Sequence, residues 1–106
     1  MIRGGMMYSK GDIVVVSFPY SDLLNAKKRP MVIIGQKGQD IIGCAITSNL
    51  QSEGIPIDKG VLPLDSKIKH WQINTILKGL IVKKIAKLSD EKYNDLITNI
   101  VRFISI

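Results

Sequence analysis

A single apolar stripe at helical spacing closes this chain. Tyr93, Leu96, Ile97, Ile100, Val101 and Ile104 follow i, i+3, i+4, i+7, i+8 and i+11, the pattern of a helix with one face turned to a core. Ser89 stands where an N-cap hydroxyl is wanted, and Asp90 and Glu91 fall in the first turn, where the helix dipole favours anions. Arg102 lies near the other end, so the helix is expected over about residues 90–104. Such a stripe must pack on something, and what precedes it reads as strands.

In "DIVVVSFPY", Ile13, Val15 and Ser17 point one way and Val14, Val16 and Phe18 the other, bounded by Gly11 and Pro19. That is a strand with one face buried and the other mostly so. "SDLLNAKK" reads as a polar loop carrying Lys27 and Lys28. "PMVIIGQ" and "DIIGCAIT" are β-branched runs joined through Lys37-Gly38-Gln39, a hairpin signal because Gly38 takes positive φ without steric cost. After the loop "SNLQSEG" come short extended pieces around "IPID" and "VLPL", whose prolines confine them to edges. "DSKIKHWQINTI" is ambiguous between loop and strand, and "GLIVKKIAKL" reads as a longer strand opened by glycine. Residues 1–106 are thus expected to form one domain, with strands over about 12–88 and the helix laid against a small curved sheet or barrel.

Composition narrows the function classes. No apolar run approaches the roughly 20 residues of a bilayer span, and the N-terminus lacks the apolar middle of a secretory signal. The expectation is a cytoplasmic protein with no membrane association. The one cysteine, Cys44, sits in the apolar "IIGCAIT" and reads as a core thiol. Fifteen Lys and Arg against nine Asp and Glu give +6. The excess is spread along the chain, which permits a polyanionic partner without demanding one. Glycine-rich phosphate loops, a nucleophile elbow and a histidine pair on a helix are all missing from the sequence. With a single histidine, His70, and scattered carboxylates, neither a metal nor a cofactor is expected.

Any chemistry must then use sparse groups. If the two runs flanking Gly38 pair antiparallel, the start of the first meets the end of the second. Arg29 then lies close to Thr47 and Ser48. A guanidinium fork beside two hydroxyls can hold a phosphodiester, although the same residues also suit a surface ion pair and a capped turn.

Five pieces stand in one order: "GDIVVVSFPYSD", "KKRPMVII", "AITSN", "LPLDS" and "LIVKKIAKLSDEK". In order and spacing they resemble the PemK/MazF family, the toxins of bacterial toxin–antitoxin pairs, from about Gly11 to Lys92. The resemblance implies an SH3-like barrel with a C-terminal helix, a homodimer, and a metal-free endoribonuclease that cuts single-stranded RNA. It also implies a cognate antitoxin. The family's strand-opening arginine falls on Arg29 and its strand-closing threonine on Thr47. Ser48 and His70 are further catalytic candidates. Lys27, Lys28, Asn49, Lys67, Lys69, Trp71 and Gln72 are candidates for holding RNA.

This chain departs from the family at one point. Many members carry Asp-Gln followed by Arg-Thr before the late strand, whereas here Trp71-Gln72 and Asn74-Thr75 stand. Two readings of the neighbourhood follow. In one, His70 shares in proton transfer and Trp71 stacks on a flipped base; in the other, Trp71 is half-buried at a dimer interface and His70 is solvated. Two further alternatives are a catalytically weak or inactive relative, and a gyrase-binding toxin resembling CcdB. The latter's Trp-Gly-Ile ending is replaced here by "RFISI".

Overall fold

A computed structural model describes residues 7–19 and 26–105. Six strands precede one helix: β1 (Asp12–Pro19), β2 (Ala26–Lys37), β3 (Asp40–Thr47), β4 (Ile55–Pro56), β5 (Lys67–Leu77) and β6 (Ile81–Lys87), then α1 (Asp90–Ile104). They form one antiparallel sheet in the order β4-β5-β3-β2-β1-β6. No ladder joins β4 to β6 among the described residues. The expected mainly β fold with a C-terminal helix is therefore present, but the SH3-like sheet stays open where a closed barrel was expected.

The strands β1, β2, β3 and β5 bury side chains on both faces, which gives two cores. Ile13, Val32, Cys44, Ile46 and Ile68 pack beneath Leu96 and Ile100 of α1. Val14, Val16, Met31, Ile33, Ile41 and Ile76 pack on the opposite face. Burial of Cys44 in the first core pushes its thiol up to about 11, as expected of an unreactive core residue. The helix begins as its sequence dictates, with Ser89 Oγ accepting from the Lys92 amide at 3.1 Å. Only the first part of its stripe is covered, since Val101 and Ile104 remain 51% and 66% exposed.

Gly38 takes φ +60 in the two-residue connection between β2 and β3, where Lys37 pairs with Asp40. Asp12 is 1% exposed, yet it receives the Ser9 amide at 2.8 Å and ion pairs from Lys84 at 3.1 Å and Lys87 at 3.5 Å. It thereby ties β1 to the edge strand β6.

Three local expectations are corrected. Lys27 and Lys28 are not in a loop: β2 already begins at Ala26 and pairs Lys28 with Ser17 and Lys27 with Phe18. Residues 20–25, which include 21–25 of the polar loop "SDLLNAKK", lie outside the described residues. "VLPL" bends without forming a strand, because only Ile55–Pro56 finds a partner at the sheet edge. The glycine of "GLIVKKIAKL" does not open a strand but sits in a short 3-10 turn, Lys78–Leu80, ahead of β6.

Irregularities in the ladders decide which side chains face where. Cys44 pairs with Ile73 and Ile46 with Ile68, so two steps along β3 correspond to five along β5, an excess of three residues. An odd excess reverses the alternation of the strand. Ile68 consequently joins the core under the helix, whereas Ile76 joins the opposite one. Two single-residue bulges in β6 leave Ile85 and Val82 without ladder partners, both with their side chains exposed.

Candidate active site

The β1–β2 and β2–β3 ladders fix the geometry. Arg29 pairs with Val16, and two residues further along β2 Met31 pairs with Ala45 of β3, which brings Arg29 to the end of β3 that holds Thr47. On the face opposite the helix, Arg29 precedes Met31, Thr47 follows Ala45, and Gln72 and Asn74 precede Ile76 along their strands. These rows open into a cavity of about 810 Å³. Arg29, Thr47 and Ser48 line one side, Lys69, Gln72 and Asn74 of β5 another, and Lys28 also reaches it. Phe18, Leu62, Leu64 and Ile85 contribute apolar wall. No carboxylate or imidazole lines it among the described residues.

The threonine hydroxyl is oriented by its own turn. The Asn49 amide donates to Thr47 Oγ1 at 3.1 Å, and Asn49 Oδ1 accepts from the Gln51 amide at 3.0 Å. One lone pair of Thr47 is thus occupied, and its proton remains available to an acceptor in the cavity. Asn49 is engaged in holding the turn and does not line the cavity. Lys67 is likewise engaged: its ammonium donates to the carbonyls of Leu50 at 3.1 Å and Ser52 at 2.9 Å, clasping the loop of residues 48–54.

The remaining candidates fall elsewhere. Lys27 is exposed on β2 and does not reach the cavity. His70 and Trp71 lie within the excess segment of β5 and are not among its lining residues. Their rings meet edge to face at 5.2 Å, and His70 meets Phe103 of α1 in the same manner at 6.1 Å. His70 Nδ1 is buried without a hydrogen-bond partner among the described residues. Reading the sequence missed the apolar walls and Asn74 as a lining residue. For Phe18 and Ile85 no local signal existed, since β1 and β6 bring them there only through pairing and a bulge.

Comparison with known proteins now decides the family. The sequence profile of PemK-like, MazF-like toxins of type II toxin–antitoxin systems matches residues 9–104. The chain belongs to this PemK/MazF family. No curated protein sequence matches it. Among solved structures, a MazE–MazF complex from Deinococcus radiodurans is similar with TM-score 0.82 at 8% identity, covering 96% of this chain and 99% of that one. An endoribonuclease in complex with its cognate antitoxin, from a mycobacterial species, gives 0.77 at 12% identity over 94% and 97%. The Mycobacterium tuberculosis toxin MazF-mt6 gives 0.66 at 17% identity over 84% and 93%. At such identities the likeness to these structures speaks for the fold, and the PemK/MazF membership rests on the sequence profile.

Proposed function

We propose that this PemK/MazF-family chain is a toxin endoribonuclease that cuts single-stranded RNA without a metal ion and so blocks translation and growth. The reading is carried by one observation: Arg29, Thr47 and Ser48 line a common cavity with Lys28 and Lys69, with no carboxylate among its described lining residues. Such a surface suits a phosphodiester flanked by further phosphates.

The proposed reaction needs few groups because RNA carries its own nucleophile. The ribose 2′-oxygen bonds to the adjacent phosphorus, the bond from phosphorus to the 5′-oxygen breaks, and the products are a 2′,3′-cyclic phosphate and a 5′-hydroxyl. One proton leaves the 2′-oxygen and one arrives on the 5′-oxygen. Arg29 stabilises the charge that grows on the non-bridging oxygens and orients the phosphate, and the Thr47 hydroxyl donates a hydrogen bond to the same group. Ser48 supplies a second hydroxyl. A guanidinium scarcely loses its proton, so Arg29 is not the general base.

The proposed partners follow from the same surfaces. A cognate antitoxin with an acidic segment would neutralise the toxin by occupying the basic cavity. A second copy of the chain would cover the apolar end of α1, where Val101, Phe103 and Ile104 are exposed and Phe103 meets the His70 ring. No described helix is long and apolar enough to cross a membrane, and we place the activity in the cytoplasm with its mRNA substrate.

Incubation of the purified protein with a long RNA in EDTA, followed by mapping of the ends, tests the proposal. Cyclic-phosphate and 5′-hydroxyl ends are expected, and Arg29→Ala should abolish them. Cleavage that requires a divalent metal, or that survives loss of Arg29, would sink the mechanism.

A further inference from the structure

The cavity has two sides of different chemistry. Its Arg29 side suits phosphate, as argued above. Its β5 side carries two neutral carboxamides, Gln72 and Asn74, two residues apart on one strand and so on one face. Neither side chain has a hydrogen-bond partner among the described residues. They face a cavity whose walls include the apolar Phe18 and Ile85. A flat apolar solute with hydrogen-bonding edges, attached to a phosphate, satisfies both sides together. A nucleobase has that form.

The carboxamides also constrain which base. Each presents one donor beside one acceptor in a plane. Adenine offers the complementary pair twice, N6–H with N1 on its Watson–Crick edge and N6–H with N7 on the other, so two carboxamides can engage a single ring. Guanine instead shows two acceptors, O6 and N7, on its outer edge, for which a cation is the better partner. On its Watson–Crick edge N1–H beside O6 can satisfy one carboxamide, so guanine takes a carboxamide on only one of its two edges away from the sugar. The adjacent donors N1–H and N2–H of that edge would match a carboxylate, and no carboxylate lines this wall among the described residues.

Resting on the endoribonuclease reading, we propose that Gln72 and Asn74 form a base-reading subsite specific for an adenine adjacent to the phosphate held by Arg29. The odd excess in β5 is what creates it. With regular alternation through residues 69–72, the strand would turn Gln72 and Asn74 toward the helix side and away from the cavity.

The test is binding, kept separate from cleavage. Fluorescently labelled 2′-deoxyuridine hexamers, which lack the nucleophile, carry adenine, guanine or cytosine at one central position or keep uracil there, and anisotropy gives their affinities. The wild-type chain should bind the adenine hexamer on the order of tenfold tighter than the others. Gln72→Ala with Asn74→Ala should remove that preference, and Asn74→Asp should move it toward guanine. Both positions are exposed or half-buried, and thermal melts confirm that each variant folds. Equal affinities in the wild type, preference for another base, or adenine preference that survives the double substitution would each overturn the subsite. A parallel digestion of long RNA separates the two claims. Cleavage without adenine preference leaves the nuclease reading standing, and adenine preference without cleavage leaves only the subsite.

Discussion

The backbone amide of Asn49 donates to Thr47 Oγ1 at 3.1 Å. This bond uses the hydroxyl as an acceptor and leaves its proton available to an acceptor in the cavity. Thr47→Ala should therefore lower kcat on RNA by about 10²–10³, the usual effect of removing one donor to developing negative charge. Thr47→Ser keeps both the turn and the donor and should stay within about tenfold of wild type. Single-turnover cleavage of a short RNA measures both. Equal activity in all three proteins would remove the hydroxyl from the reaction.

Two lysines two residues apart on β5 should behave differently. Lys69 lines the cavity, so Lys69→Ala should reduce the slope of log affinity for RNA against log salt by about one. Lys67 holds the carbonyls of Leu50 and Ser52, so Lys67→Met should leave that slope unchanged. Its effect should be on stability, about 1 kcal/mol in a urea titration for exposed charge-assisted bonds. A lowered slope for Lys67→Met would place this residue on the RNA.

Asp12 makes stability depend on acid. Burial alone would raise its pKa, but the Ser9 amide and the ammonium groups of Lys84 and Lys87 outweigh it and hold the carboxyl below its ordinary value. Its contribution is thus complete above the unfolded value of about 3.9 and is lost as pH falls through the lower folded value. Asp12→Asn should destabilise the protein at pH 7 and flatten the loss of stability between about pH 4 and pH 2. Urea midpoints across that range check it; an unchanged acid limb would assign the loss to other carboxylates.

Gly43 has no room for a side chain. A Cβ there would lie 2.5 Å from the Val32 carbonyl oxygen and 2.7 Å from Met31 Cε. Gly43→Ala should cost about 1–3 kcal/mol, as overpacking does. It should also weaken cleavage, since Gly43 pairs with Asn74 across the ladder and Met31 lies beneath the cavity. Thermal melts and activity together would show whether strand and site move as one.

His70 stands apart from the lining residues, between the rings of Trp71 and Phe103. His70→Ala is expected to leave cleavage unchanged between pH 5 and pH 9. A shifted pH profile would bring the imidazole back into the reaction.

How far the sequence could be read depended on whether the signal was local. The helix, its Ser89 cap and the Gly38 hairpin were legible because spacing and backbone conformation act within a few residues. The hairpin in turn placed Arg29 beside the end of β3. Lys27 and Lys28 read as loop because polar composition hides a strand whose support is pairing with Phe18 and Ser17. For residues 65–76 the ambiguity was physical: the excess in β5 breaks the period-two pattern on which recognition of a strand depends. Asn74 was visible only as a departure from the family, and its place in the cavity required the ladder.

That excess in β5 works as a change of reading frame. Insertion or deletion of a single residue within 69–72 would leave every other letter of the chain intact, yet it would exchange the side chains shown to the cavity, offering Ile73 and Thr75 in place of Gln72 and Asn74. What such a protein would recognise could therefore be rewritten by length alone, with the cavity-lining Arg29 and Thr47, on other strands, left in place.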